Sequence, residues 1–87
     1  MAHTNSVTHV TATPQLIADA ATFLRIQNRG AHEVRILYAA SLPAGYQGLG
    51  ENLGVGSVDV RADLANRQLK CWVWSVLGGV LSVERDQ

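Results

Sequence analysis

The run Gln68-Leu-Lys-Cys-Trp-Val-Trp-Ser-Val-Leu77, followed at once by Gly78-Gly79 and then Val80-Leu-Ser-Val-Glu84, decides the fold class. Its β-branched and aromatic residues favour extended backbone, and strict alternation sets Leu69, Cys71, Val73, Ser75 and Leu77 on one face and Lys70, Trp72, Trp74 and Val76 on the other. Both faces are largely apolar, so something covers each of them. The glycine pair suits a two-residue primed turn, which predicts that Gln68–Leu77 and Val80–Glu84 form a C-terminal hairpin.

The same alternation recurs upstream. Leu24 and Ile26 alternate with Arg25 and Gln27 before the turn residues Asn28-Arg29-Gly30, predicting a strand over Ala21–Gln27. Val34, Ile36 and Tyr38 alternate with Glu33, Arg35 and Leu37, predicting a second strand paired with the first as a hairpin. Val58, Val60 and Ala62 alternate with Asp59, Arg61 and Asp63, so this strand has a wet face carrying the charges, and Ala65-Asn66-Arg67 then turns the chain. Val7, Thr8, Val10 and Thr11 favour an extended arm or edge strand over residues 1–13.

Two segments read differently. Thr13 and Pro14 fit the N-cap and first position of a helix, with Leu16, Ile17, Ala20, Ala21 and Leu24 at helical spacing, so Pro14–Ala20 admits a short helical turn. From Ala40 to Gly56 the chain holds Pro43 and glycines at 45, 48, 50, 54 and 56, which predicts a long loop. About six short strands separated by turns describe an all-β domain, a small β-sandwich or jelly-roll-like unit over residues 14–87, rather than a βαβ fold.

With 87 residues the chain makes one small domain. Its apolar fraction is 47% and its charged fraction 16%, against roughly 25% charged in an average soluble domain, so it folds and leaves surface for a partner to cover. Seven Lys and Arg balance seven Asp and Glu, and the mean hydropathy is +0.07. No net field draws it to nucleic acid, and no run approaches the roughly 18 apolar residues of a membrane helix. A domain this size buries only about 60–65% of its unfolded surface, which makes a homo-oligomer, dimer or trimer, the expected support.

Chemistry is sparse. His3, His9 and His32 have no metal-ligand spacing, Cys71 stands alone on an apolar strand, and no serine lies in a nucleophile elbow. Gly48-Leu-Gly50-Glu-Asn-Leu-Gly54 is one residue longer than a dinucleotide fingerprint and precedes no helix. These patterns predict no catalytic set, cofactor or metal. The residues left without an obvious role are apolar: Tyr46, Leu49 and Leu53 inside the loop, and Trp72 and Trp74 on one face of the C-terminal strand. Loop docking on another chain is the functional reading of the first three. Three roles stay open for the tryptophans: core of the sandwich, subunit or partner interface, and a stacking surface for sugar rings.

The series Pro14-Gln-Leu-Ile-Ala-Asp-Ala-Ala-Thr-Phe-Leu-Arg-Ile-Gln-Asn-Arg-Gly30, then Val34-Arg-Ile36 and Ala39-Ala-Ser-Leu-Pro43, resembles small structural proteins of tailed bacteriophages. The order of approach segment, strand, glycine turn, second strand, Gly/Pro-rich loop and terminal aromatic hairpin runs from Pro14 to about Val83. The resemblance implies a virion protein, such as a capsid decoration or cement protein that binds the major capsid protein or other virion proteins on the shell surface. A tail or fibre component and a small carbohydrate-binding module are the rival expectations.

Overall fold

The computed structural model describes residues 4–86, in eight strands, one α-helical turn and one 3-10 turn. The strands are β1 (Thr4–Val10), β2 (Gln15–Asp19), β3 (Leu24–Asn28), β4 (Val34–Ala39), β5 (Glu51–Leu53), β6 (Val58–Arg61), β7 (Lys70–Trp74) and β8 (Gly79–Arg85); α1 (Leu64–Arg67) lies between β6 and β7. They form two four-stranded antiparallel sheets, ordered β1-β8-β3-β6 and β2-β7-β4-β5.

The pairing is nested. β4 pairs with β5, β3 with β6, β2 with β7 and β1 with β8, as if the chain were doubled back at the long loop into one antiparallel ribbon. That ribbon is then rolled, and β8 against β3 and β7 against β4 close the two sheets. This is the strand order of an eight-stranded jelly roll, so the all-β sandwich expected from the sequence is the fold.

The core lies between the sheets. One sheet contributes Val10, Leu24, Ile26, Leu81 and Val83; the other contributes Ile17, Ala18, Val34, Ile36, Leu53, Cys71 and Val73, with Ala21 and Leu64 filling one end. Each buried Leu, Ile or Val removes enough apolar surface from water to favour folding by about 1.5–3 kcal/mol. Asn28 is the buried polar residue that organises the opposite end: its Nδ2 donates to the carbonyls of His32 (2.8 Å) and Leu53 (2.9 Å), and its Oδ1 accepts from Gly30 N (3.0 Å).

Several expectations are corrected. The proposed helical turn at Pro14–Ala20 is strand β2, paired with β7. Neither expected hairpin exists: β3 and β4 belong to different sheets, as do β7 and β8. The connections 29–33 and 75–78 cross the sandwich, roughly 10 Å between sheets instead of the 4.8 Å between paired strands. The six expected strands become eight with the addition of β2 and β5. On β6 the polarity is reversed. Asp59 stands opposite buried Ile26 and faces inward with Arg61, while Val58 and Val60 face solvent.

Candidate interaction surface

The glycine-rich loop does not stand out in solvent. It folds back over the outer face of the β2-β7-β4-β5 sheet, and Gly45, in the left-handed region at φ 73°, starts a single 3-10 turn, Tyr46–Gly48. The Tyr46 ring meets Trp74 edge-on, with centroids 5.0 Å apart and planes at 84°. Arg35 fastens the loop: its Nη1 donates to Asn52 Oδ1 (2.7 Å) and its Nη2 to the Leu49 carbonyl (3.1 Å). Gly50 adopts φ 85° and passes so close to β4 that a Cβ would lie 2.6 Å from the Ile36 carbonyl oxygen. No other residue fits that passage.

The five residues singled out in the sequence therefore separate. Leu53 is in the core and Trp74 lies beneath Tyr46, at 5% and 3% exposure, so neither reaches a partner. Tyr46 is the half-buried cover of Trp74. Leu49 and Trp72 remain on the outer face, and Trp72 has neighbours the sequence did not single out. The register sets Leu16 opposite Trp72 on β2 and Leu37 opposite it on β4, giving an apolar row Leu16-Trp72-Leu37 across the solvent side of the sheet. Leu16 is 45% exposed and Leu49 46%. The Trp72 Nε1 is buried and has no hydrogen-bond partner among the described residues. The three side chains stand side by side as one apolar row on the sheet's outer face.

A second apolar cluster caps one end of the sandwich. Val76 and Leu77, at the tip of the β7–β8 turn, are 81% and 73% exposed, and Val55 of the β5–β6 turn is exposed beside them. With Ala31, His32, Glu33, Arg35, Asn52 and Ser75 they border an open hollow of about 620 Å³. The turn itself is fixed, since Ser75 N donates to the Thr11 carbonyl (2.8 Å) and Ser75 Oγ to the Glu33 carbonyl (2.8 Å).

At the other side, where three-residue β5 stops short, a cleft of about 390 Å³ opens between the sheets, lined by Ile36, Tyr38, Glu51, Arg61, Leu64 and Arg67 among others. Tyr38 Oη donates to Asp59 Oδ2, Arg61 Nε lies 3.4 Å from the same oxygen, and the Arg61 guanidinium sits 4.6 Å above the Tyr38 ring centre. Burial, followed by the nearby Cys71 and Asp59, raises the Tyr38 phenol above its ordinary range. Burial likewise pushes the Cys71 thiol up to about 12. The phenol, carboxylate and guanidinium satisfy one another, and Cys71 stays a protonated thiol at neutral pH, so the cluster holds no activated nucleophile.

Among the described residues no three His, Cys, Asp or Glu side chains come together as metal ligands; His3 lies outside the described residues. Among the described residues no helix is long and apolar enough to cross a membrane. The chain matches no protein-family model, no curated protein and no solved structure. Fold and surface together define a small jelly-roll domain with exposed apolar residues on one sheet face and at one end.

Proposed function

We propose that this protein is a non-enzymatic structural component of a tailed-bacteriophage virion, a decoration or cement protein that binds the assembled capsid and stabilises it. The observation that carries the reading is the Leu16-Trp72-Leu37 row, an apolar stripe on the solvent side of a sheet in a domain with few charges. The resemblance of Pro14–Gly30, Val34–Ile36 and Ala39–Pro43 to phage structural proteins supplies the setting, since a jelly roll alone does not specify a function. The partner is the major capsid protein or another virion protein, and the apolar end at Val55, Val76 and Leu77 offers a second point of attachment.

The mechanism is mass action. A protein that binds only the assembled lattice lowers its free energy by RT ln(1 + [L]/Kd), about 2.7 kcal/mol per site when its free concentration is 100 times Kd. Rigid placement of Trp72 on a central strand keeps the entropic cost of docking low.

Quantitative mass spectrometry of particles purified from the source strain tests this. Copy numbers close to those of the major shell protein are the expected result. A few copies per particle would place the chain in the tail or fibre instead, and its absence from particles overturns the reading.

A further inference from the structure

Each sheet of this sandwich has two edge strands, and an edge strand offers its unpaired N–H and C=O groups to any strand that approaches. Three of the four edges carry a recognised safeguard. β5 is only three residues long and includes Glu51. β2 follows Pro14, breaks register with a bulge between Leu16 and Ala18, and ends at Asp19. β6 turns Asp59 and Arg61 inward, toward Tyr38, so an added strand would meet charge.

β1 has none of these. Its seven residues, Thr-Asn-Ser-Val-Thr-His-Val, include no proline, no glycine and no Asp, Glu, Lys or Arg, and they pair with β8 in unbroken register from Thr4–Arg85 to Val10–Gly79. Its other side faces no strand. Val7, at its midpoint, points away from the core and is 65% exposed.

We propose that β1 is a self-complementary dimer interface, at which a second copy of this chain adds its own β1 antiparallel across a two-fold axis through Val7. The symmetry places Val7 opposite the partner's Val7, Asn5 opposite its His9 and Ser6 opposite its Thr8. Every facing pair is then uncharged or hydrogen-bonding, and the two valines cover each other on the outer face. The two β1-β8-β3-β6 sheets become one continuous sheet. A second copy is the occupant that fits, because an uninterrupted, uncharged strand read antiparallel against itself leaves neither a charge clash nor a register break.

The test uses the isolated full chain, so it is independent of particle composition. Sedimentation velocity over a concentration series is expected to show a species of twice 9.4 kDa. Val7→Lys, which sets two ammonium groups face to face at the axis, is expected to return the 9.4 kDa species with an unchanged far-ultraviolet circular dichroism spectrum. Val7→Cys is expected to form an interchain disulfide under mild oxidation, because facing Cα atoms roughly 4.5–5.5 Å apart fall within disulfide reach. A monomer at every concentration overturns the proposal. So does a dimer that keeps its mass in Val7→Lys, or one in which Val7→Cys does not cross-link.

Discussion

The Tyr38 hydroxyl donates to the Asp59 carboxylate across the gap between the two sheets, joining β4 of one to β6 of the other. This bond closes the sandwich on the side where β5 is too short to do so, and Arg61 completes it from above the tyrosine ring. Removing only the hydroxyl, in Tyr38→Phe, leaves a half-buried carboxylate with Arg61 alone. A loss of about 1–2 kcal/mol is expected, at the lower end of the range for hydrogen bonds to charged groups because the site is partly wet. Urea unfolding of the two proteins, compared at equal m-value, measures it.

Alkaline pH should weaken the fold through the same corner. Tyr38 and Cys71 both hold their protons more tightly in the folded state, each chiefly because of burial. Below the unfolded pKa of each group, near 9 for the thiol and 10 for the phenol, both states are protonated and stability is flat. Above it the unfolded chain releases the proton first, and stability falls by up to about 1.4 kcal/mol per pH unit for each group until its folded pKa is reached, at about 12 for Cys71. Thermal unfolding from pH 7 to 11 should show a plateau followed by a decline that begins between pH 8 and 9, and Cys71→Ala should show a shallower decline.

Trp74 reports on the loop above it. Gly50→Ala forces a Cβ into the Ile36 carbonyl at a backbone angle that alanine resists, costing roughly 1–3 kcal/mol and lifting the loop from the sheet. Tyr46→Ala leaves the backbone in place but removes the edge-on ring, worth about 0.5–1.5 kcal/mol. Tryptophan emission should shift to the red in both variants, because each exposes the Trp74 indole to water. An unshifted spectrum in Tyr46→Ala would show that the ring does not shield it.

Asn28 should tolerate no substitution. Its amide nitrogen serves two carbonyls and its oxygen one backbone N–H, all within a buried end of the domain. Asn28→Asp replaces the donor with an oxygen facing two carbonyl oxygens and is expected to cost more than Asn28→Ala. Both should lose about 2 kcal/mol or more, since buried backbone groups are left unpaired. Differential scanning calorimetry would rank them.

Much of the strand content was legible in the sequence because β3, β4, β7 and β8 each keep a clean two-residue period on their buried face. β2 was not, for a local reason. Its bulge buries Ile17 and Ala18 in succession, and two adjacent apolar residues after Pro14 imitate helical spacing. β5 is too short to show any period. The reversed faces of β6 follow from Tyr38, 21 residues away, which draws Asp59 inward; nothing within the strand carries that information. Turn residues likewise indicated where the chain reverses at Gly30 and at Gly78-Gly79, but not whether the next strand joins the same sheet or crosses to the other. Among the surface candidates, Trp72 was legible from alternation. Its neighbours Leu16 and Leu37 were not, because they are brought to it only by pairing with two separate strands.

The nested pairing also fixes the order of events during synthesis. Of the described strands, β1 is made first and its partner β8 last, about 75 residues later. At roughly 5–20 residues per second, that interval lasts on the order of four to fifteen seconds. During this time both sides of β1 lack a partner, and the core that Val10 completes cannot close. The first of the described strands to appear is therefore the last to be secured, and each nascent chain passes through a stage in which its least guarded edge is doubly open.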